Sequence, residues 1–160
     1  MGQIEDRLLE MGLELPPAVQ VPPDVVLPFA FVNIRGDRAL VSGHGPQSLD
    51  GPLAPPFGQV GGDVSLDEAL EAARLTALSM LGSLQRSLGS LDRITGWLRV
   101  FGMVNSAPGF DRQPTVVNGF SDVIIDVFGA EVGRHARSAV GMAALPFGMP
   151  VEIEAEVSIR

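Results

Sequence analysis

The amino-acid sequence predicts an α/β sandwich in which a mixed sheet carries two helices packed on one face. This fold class follows from the pattern of apolar residues along the chain. Stretches with apolar residues at helical spacing alternate with strand-like stretches along the chain. After a short N-terminal helix, the predicted order of elements is therefore β-β-α-β-α-β-β. The length of 160 residues suits a single domain, which we assign to residues 1–160.

Residues 1–25 predict a short helix followed by an extended lead-in. Two strands follow, at residues 29–34 and 39–42, and a hairpin loop with glycine joins them. The N-terminal helix closes near Gly12, and its apolar face consists of Ile4, Leu8, Leu9 and Met11. The prolines that favour extended backbone in the lead-in are Pro16, Pro17, Pro22 and Pro23.

Residues 44–62 form a long loop that is rich in glycine and proline. A loop of this length inside a compact domain is usually functional, an interface element or mobile. The other interpretation is a plain insertion on the surface, and the sequence leaves both interpretations open.

The clearest local signal is the helix that begins after Ser65. Ser65 and Glu68 match the S-x-x-E capping box, in which each side chain satisfies a backbone amide of the other residue. Gly89 stands where a C-terminal stop belongs. We expect the apolar stripe between them to pack as core against the sheet. The stripe consists of Leu66, Leu70, Ala73, Ala77, Met80, Leu81 and Leu84.

Residues 93–104 predict a third strand, which ends before Pro108. A second long helix follows from about residue 113 to residue 128, with Pro114 in its first turn. Two more strands end the chain. The buried face of this second helix consists of Val117, Phe120, Ile124, Val127 and Phe128.

The last predicted strand places three carboxylates on one face. Glu152, Glu154 and Glu156 alternate with apolar residues, and alternate side chains of a strand share a face. Like charges about 7 Å apart repel one another, so we expect a cation nearby, and Arg137 in the preceding strand is the candidate. Such a pair can bind a substrate carboxylate and activate a water. A structural ion pair or a solvated sheet face is the other interpretation.

Composition restricts the classes of function. The net charge of −8 and the pI near 4.6 argue against a nucleic-acid partner, since phosphate binding needs a basic face. The lack of cysteine excludes thiolate nucleophiles and fits a reducing compartment, so we expect a cytoplasmic protein. No apolar run approaches the roughly 18 residues of a membrane span, and the two histidines have no metal-ligand spacing. The hydrophobic fraction of 46% predicts apolar surface buried between subunits.

Short motifs occur in order between residue 28 and residue 160. They are Pro28-Phe29, Val41-Ser42-Gly43, the segment from Leu88 to Ile94, Asn118, Ala136-Arg137-Ser138-Ala139-Val140 and Val151-Glu152-Ile153-Glu154-Ala155. Together they resemble the Rid family of reactive-intermediate deaminases, also called the YjgF or endoribonuclease L-PSP family. The first 25 residues and the 44–62 loop lie outside the short family core, and they look like a longer subgroup.

The resemblance implies a chorismate-mutase-like fold that assembles as a homotrimer, with sites in the clefts between subunits. It implies cofactor-free hydrolysis of enamine or imine intermediates to 2-keto acids and ammonia, as in 2-iminobutanoate/2-iminopropanoate deaminases. By position, Arg137 corresponds to the arginine that binds the substrate carboxylate, and Glu152 to the glutamate that activates water. Gly43 corresponds to backbone that contacts the ligand, and Asn118 to an asparagine near the site. The resemblance implies no metal.

Two positions depart from the family pattern. Phe29 stands where typical deaminases have a tyrosine, and His44 stands where a glutamine is common. With Arg137, Gly43 and Asn118 they complete the predicted substrate-binding set. A histidine with an ordinary pKa near 6.5 suits proton transfer, but a histidine after a Ser-Gly turn is also a common hydrogen-bonded loop residue.

Two functions from different classes follow. The first is a cofactor-free deaminase that acts on a small carboxylated imine, and Arg137 with Glu152 favours it. The second is a non-catalytic trimer that binds a small carboxylate metabolite through Arg137 and regulates or signals to partner proteins. Phe29 and the 44–62 loop favour this alternative. The acidic composition and the lack of an aromatic–basic stripe argue against ribonuclease activity.

Overall fold

A computed structural model of the chain describes residues 2–160, and Met1, the first residue of the predicted domain, lies outside the described residues. The helices are α1 (Gln3–Glu10), α2 (Leu66–Leu88) and α3 (Gln113–Gly133). The strands are β1 (Val32–Arg35), β2 (Arg38–His44), β3 (Ile94–Asn105), β4 (Ala136–Met142) and β5 (Val151–Ile159). Short 3-10 turns precede β3 at Leu91–Arg93 and β5 at Pro146–Gly148.

The five strands form one mixed sheet in the order β1-β2-β5-β3-β4. β3 and β4 run parallel, and the other neighbouring strands are antiparallel. A parallel pair needs a long crossover connection, and α3 supplies it between β3 and β4. Because α2 and α3 pack together on one face of this sheet, the predicted fold class is confirmed, including the short N-terminal helix.

The ends of the helices follow local signals in the sequence. The predicted capping box is formed, with the Glu68 carboxylate 2.8 Å from the Ser65 amide and the Ser65 hydroxyl 3.2 Å from the Glu68 amide. Gly89 ends α2 in the left-handed conformation, as predicted. In α3, Gly129 interrupts the helix directly after the predicted end, and one further turn continues to Gly133.

Two predicted strands have different bounds in the structure. The first strand was predicted from residue 29, but regular pairing begins only at Val32. The second strand was predicted at residues 39–42 and extends over Arg38–His44. It is longer because β2 lies inside the sheet and pairs with β1 on one side and β5 on the other.

Alternation along β5 separates the two faces of the sheet. Val151, Ile153 and Val157 are fully buried on the face that α2 and α3 cover. The three carboxylates between them share the opposite face, as predicted, and no helix within residues 2–160 covers it. We call this opposite side the open face. The register places three further apolar side chains there, Leu40, Phe101 and Met103.

The 44–62 loop is organised around a buried glutamine. Gln47 donates hydrogen bonds to the carbonyl oxygens of Pro17 at 2.9 Å and Gly51 at 2.7 Å. Its own amide oxygen accepts from Ser79 of α2 at 2.9 Å. Val60, near the other end of the loop, is fully buried in the core. The loop therefore ties the extended lead-in to α2.

Gly119 sets the distance between α2 and α3. A Cβ atom at this position would overlap the carbonyl oxygen of Leu70 and lie 3.2 Å from the Ala73 side chain. Gly119→Ala should therefore lower the free energy of unfolding by about 1–3 kcal/mol, since the helices must move apart. Gly62→Ala is the matched control, because the nearest atoms there lie 3.5 Å away. Urea unfolding measures both variants, and equal losses would contradict the close contact at Gly119.

Candidate functional site

Arg137 lies on the helix side of β4, the edge strand of the sheet. Its register partner Val100 is fully buried beneath the helices, so the two side chains share that face. The guanidinium donates from Nη1 to Asn118 Oδ1 at 2.8 Å and to Ser121 Oγ at 3.1 Å. Nη2 donates to the Pro114 carbonyl oxygen at 3.2 Å. We call Arg137, Asn118 and Ser121 the arginine half-site; it brings together two of the predicted site residues.

The acceptors around Arg137 are all neutral. No carboxylate of residues 2–160 lies within 4.0 Å of its guanidinium. The prediction that Arg137 neutralises the glutamate face is therefore wrong, and Arg38 pairs with Glu156 at 2.7 Å. Three of the five guanidinium donors are used, which leaves Nε–H and one Nη2–H without a partner in the described chain. A cation held in this way keeps both its charge and a pair of donors for an anion.

Glu152 lies on the open face, with its carboxylate packed against the Gly43 backbone. A Cβ atom at position 43 would overlap this carboxylate, so glycine allows the close approach. The pairing of β2 with β5 is irregular between Val41 and His44, which lets the Gly43 backbone approach. Burial raises the pKa of Glu152, and the Glu154 carboxylate raises it further. A carboxylate with a raised pKa can both accept and return a proton. We call Glu152 and Gly43 the glutamate half-site.

The two half-sites lie apart within one chain. Glu152 is the register partner of Met103, and Met103 is the partner of Val140, which follows Arg137 by three residues. Two strand spacings and three residues along the strand separate the Cα atoms of Arg137 and Glu152 by about 14 Å. The two side chains also point to opposite faces of the sheet. A small substrate therefore cannot contact both side chains of the same chain.

His44 lies on the helix side, behind the Gly43 backbone, with 2% of its surface exposed. Nδ1 donates to the Ser42 carbonyl oxygen at 2.7 Å, and Nε2 accepts from Ser83 Oγ at 2.9 Å. Arg86 donates to the same serine oxygen at 3.1 Å. Burial lowers the pKa of His44. His44 therefore lies in neither half-site, because both ring nitrogens form hydrogen bonds inside the chain. These contacts match the alternative interpretation of His44, a hydrogen-bonded loop residue.

A sequence profile described as "YjgF/chorismate_mutase-like, putative endoribonuclease" matches residues 5–152 of the chain. The chain belongs to this family. The predicted resemblance to the Rid, YjgF and L-PSP proteins is thereby confirmed. The matched range also includes most of the lead-in and the 44–62 loop, which lie outside the short sequence motifs.

Relatives in this family match the chain over nearly its full length. Protein TCP17 of Trypanosoma cruzi is 40% identical over 159 residues, which are 99% of this chain and 96% of that protein. The structure of Atu1372 from Agrobacterium tumefaciens, a protein of unknown function, is 40% identical with a TM-score of 0.85 and covers 98% of this chain and 91% of its own. The Rid family protein YyfA of Yersinia pestis is 19% identical with a TM-score of 0.60, over 89% of this chain and 98% of its own. At that identity it shows a shared fold alone.

In this YjgF-family chain, Phe29 lies half-exposed at a groove on the open face. Its ring meets Phe31 edge-on, with the ring centroids 5.5 Å apart. The groove has a volume of about 590 Å³, and Glu154 lies in it beside apolar side chains. Phe29 contributes apolar surface to this groove and no hydroxyl. The structure places it on the same face as Glu152 but not in contact with Arg137.

Sequence reasoning missed two residues around the arginine, Ser121 and His135. Asn118 and Ser121 are three residues apart and so share a face of α3. His135 and Arg137 are two residues apart, which places both towards α3. His135 Nε2 lies 2.9 Å from Ser121 Oγ. The even spacing of the histidine and the arginine is the signal in the sequence that could have found His135.

Residues 2–160 support neither a metal site nor a membrane-spanning helix. No group of three or more histidine, cysteine, aspartate or glutamate side chains is placed to hold a metal ion. None of the helices in that range combines the length and the apolar character needed to cross a membrane.

The buried histidine predicts a pH dependence of stability. Because the fold lowers the pKa of His44, the unfolded chain binds a proton near pH 6.5 that the folded chain does not. The free energy of unfolding should therefore fall as the pH drops from about 7 towards 5. His44→Gln cannot gain this charge and should show a flatter dependence in urea unfolding at a series of pH values. Glu152 has a raised pKa and contributes in the opposite direction, but both proteins carry it, so its contribution cancels in the comparison. Parallel curves for the two proteins would contradict the assignment of this pH dependence to His44.

Proposed function

We propose that this protein hydrolyses a small, carboxylate-bearing imine or enamine to a 2-keto acid and ammonia, without a cofactor. One observation carries the proposal: the half-buried Arg137 has three neutral acceptors and no carboxylate partner in the described chain. The same hydrogen bonds fix the guanidinium and leave its charge and two of its donors without a partner in the described chain. A guanidinium kept in this state is suited to bind the carboxylate of a ligand.

The chemistry needs few groups, because an imine carbon is already electrophilic. Arg137 binds the substrate carboxylate through its remaining donors and fixes the position of the reactive carbon. Water adds to that carbon while Glu152 accepts the proton that the water releases. Glu152 passes that proton to the nitrogen, which gives a carbinolamine. It then takes the proton of the new hydroxyl group and delivers it to the amino group, as the C=O bond forms, the C–N bond breaks and ammonia leaves. The raised pKa of Glu152 suits both transfers.

A second copy of the chain is proposed to complete the site. The half-sites of one chain are about 14 Å apart and on opposite faces of the sheet, so they cannot share a small substrate. The open face carries the exposed side chain of Leu40 and the partly exposed side chains of Phe101 and Met103, and no helix in the described range covers them. In the homotrimer that the family resemblance implies, the arginine half-site of each chain meets the glutamate half-site of the next. Closed symmetry then provides equivalent sites at each interface.

A non-catalytic carboxylate-binding trimer is the second candidate. The observation that favours it is Phe29, which offers only apolar surface to the groove on the open face. In this alternative Arg137 anchors the ligand as before, and Glu152 is a structural partner of Gly43. The two candidates differ in turnover and agree in ligand binding, which makes them separable by experiment.

The anchoring role of Arg137 predicts a loss of ligand affinity. Arg137→Ala should weaken binding of a 2-keto acid by roughly 2–5 kcal/mol, because a desolvated charged hydrogen bond is lost. Arg137→Lys should not restore it, since lysine is a point charge without the planar pair of donors. Arg134→Ala removes the same charge three residues away and serves as the control. Calorimetry with 2-oxobutanoate checks the series; equal affinities for wild type and Arg137→Ala would show that the arginine is structural.

Catalysis predicts a different result for Glu152. Glu152→Gln keeps the shape of the side chain but removes the base, so turnover should fall by about 10²–10⁴-fold while keto-acid affinity stays nearly unchanged. The assay generates 2-aminoacrylate or a longer imine enzymatically and follows ammonia release. Glu156→Gln is the control, because Arg38 already neutralises that carboxylate. If the wild type accelerates no imine hydrolysis over short and branched substrates, the deaminase proposal fails and the binding trimer remains.

The proposed assembly predicts a defined mass in solution. A homotrimer has a mass of about 51 kDa, three times the 16.9 kDa chain. Light scattering at micromolar concentration measures it directly. A monomer under these conditions would remove the shared site, and the catalytic proposal with it.

A further inference from the structure

The hydroxyl of Ser121 joins Arg137 to a second titratable residue. Ser121 is 7% exposed on α3, and its oxygen lies 3.1 Å from Arg137 Nη1 and 2.9 Å from His135 Nε2. The other ring nitrogen of His135, Nδ1, lies 2.7 Å from the Gly133 carbonyl oxygen. These four groups form one continuous chain of hydrogen bonds that ends at the last turn of α3.

The direction of each hydrogen bond in this chain is fixed by the chemistry of its ends. A carbonyl oxygen only accepts, so His135 Nδ1 carries the hydrogen towards Gly133. Burial lowers the pKa of His135, and the nearby Arg137 lowers it further, while the hydrogen bond to Gly133 acts in the opposite direction. The net pKa lies below the ordinary value of a histidine, so the ring is neutral at pH 7. A neutral ring has one N–H, and Nε2 is therefore an acceptor that takes the single hydrogen of Ser121. The lone pairs of Ser121 then face the guanidinium.

We propose that Ser121 and His135 are positioning residues for Arg137. Ser121 holds Nη1 against α3, and His135 holds the Ser121 hydroxyl in the orientation that accepts from the guanidinium. Asn118 and Pro114 hold the same guanidinium from the same helix. With three donors fixed, the Nε–H and the remaining Nη2–H are aimed before the ligand arrives. The inference rests on the proposed role of Arg137 as the carboxylate anchor.

Positioning matters here because arginine is a long side chain with many rotamers. Its freedom must be lost when a carboxylate binds to it, and a guanidinium that is already fixed loses less. A carboxylate elsewhere in the chain would fix the guanidinium equally well, but it would also neutralise the charge. Ser121 and His135 fix the group and leave its charge for the ligand. This is the reason that a serine–histidine pair occupies the place of a counter-ion.

Affinity for 2-oxobutanoate in calorimetry tests the proposal. Ser121→Ala should weaken binding about tenfold, because one hydrogen bond to a charged group is lost. Ser121→Thr retains the hydroxyl and should bind within about twofold of the wild type. His135→Ala should weaken binding about threefold, since Ser121 remains but is no longer oriented. Ser87→Ala, an exposed helical serine in α2, is the matched control and should change nothing.

A double variant separates positioning from a general effect on the fold. Because His135 acts through Ser121, Ser121→Ala with His135→Ala should bind no more weakly than Ser121→Ala alone. Two independent packing losses would instead multiply. Multiplied losses, or wild-type affinity in Ser121→Ala, would overturn the proposal. A wild type that binds 2-oxobutanoate but hydrolyses no imine would defeat the catalytic function and leave this test intact.

A second measurement keeps the proposal testable if 2-oxobutanoate does not bind. Nitrogen-15 NMR of the Arg137 guanidinium reports rotation about its Nε–Cζ bond in the free protein. The wild type and Ser87→Ala should show slow rotation with separate Nη signals, and Ser121→Ala should show averaging. Equal rotation in the wild type and Ser121→Ala, with both proteins folded, would contradict positioning by the serine.

Discussion

The alternation of side chains across the sheet decides which residues of this protein can act together. Arg137 and Glu152 lie in neighbouring stretches of sequence, yet the register sends the arginine to the helix side and the glutamate to the open face. The arginine therefore depends on α3 for its partners, and the glutamate depends on the backbone of β2. Each half-site contains one ionisable side chain, Arg137 or Glu152, that has no oppositely charged partner in the described chain.

The same arrangement of hydrogen bonds supports both halves. In each half, an arginine, a serine and a histidine form a chain of hydrogen bonds that ends on the carbonyl oxygen two residues before the histidine. On β2 this chain runs through Ser83 to His44, next to the Gly43 backbone that Glu152 touches. On β4 it runs through Ser121 to His135, next to Arg137. Burial lowers the pKa of both histidines, so each is an acceptor at neutral pH.

The sequence predicted those features that depend on local spacing. Helix α2 followed from a capping box, an apolar stripe and a terminal glycine, and the common face of the three glutamates followed from period-two alternation. The sequence did not predict which groups contact Arg137, because the spacing of residues within β4 and β5 does not show how many strands lie between these two strands. The order β5-β3-β4 inserts β3 between the two strands. His44 was placed in the substrate-binding set by its position in the family pattern, with a hydrogen-bonded loop residue as the alternative. Its ring lies towards α2, beside the irregular pairing of β2 and β5 at Gly43.

We propose that Arg137 of one chain and Glu152 of another form each working site. Co-expression of Arg137→Ala and Glu152→Gln chains tests it most directly, since neither parent can hydrolyse an imine efficiently alone. In a mixed trimer, an interface that joins a Glu152→Gln chain to an Arg137→Ala chain in the right order has both residues intact. Random mixing produces such an interface at about a quarter of the positions, and ammonia release should return to about that share of the wild-type rate. A mixture no more active than its parents, with mixed trimers verified by mass, would contradict a site shared between chains.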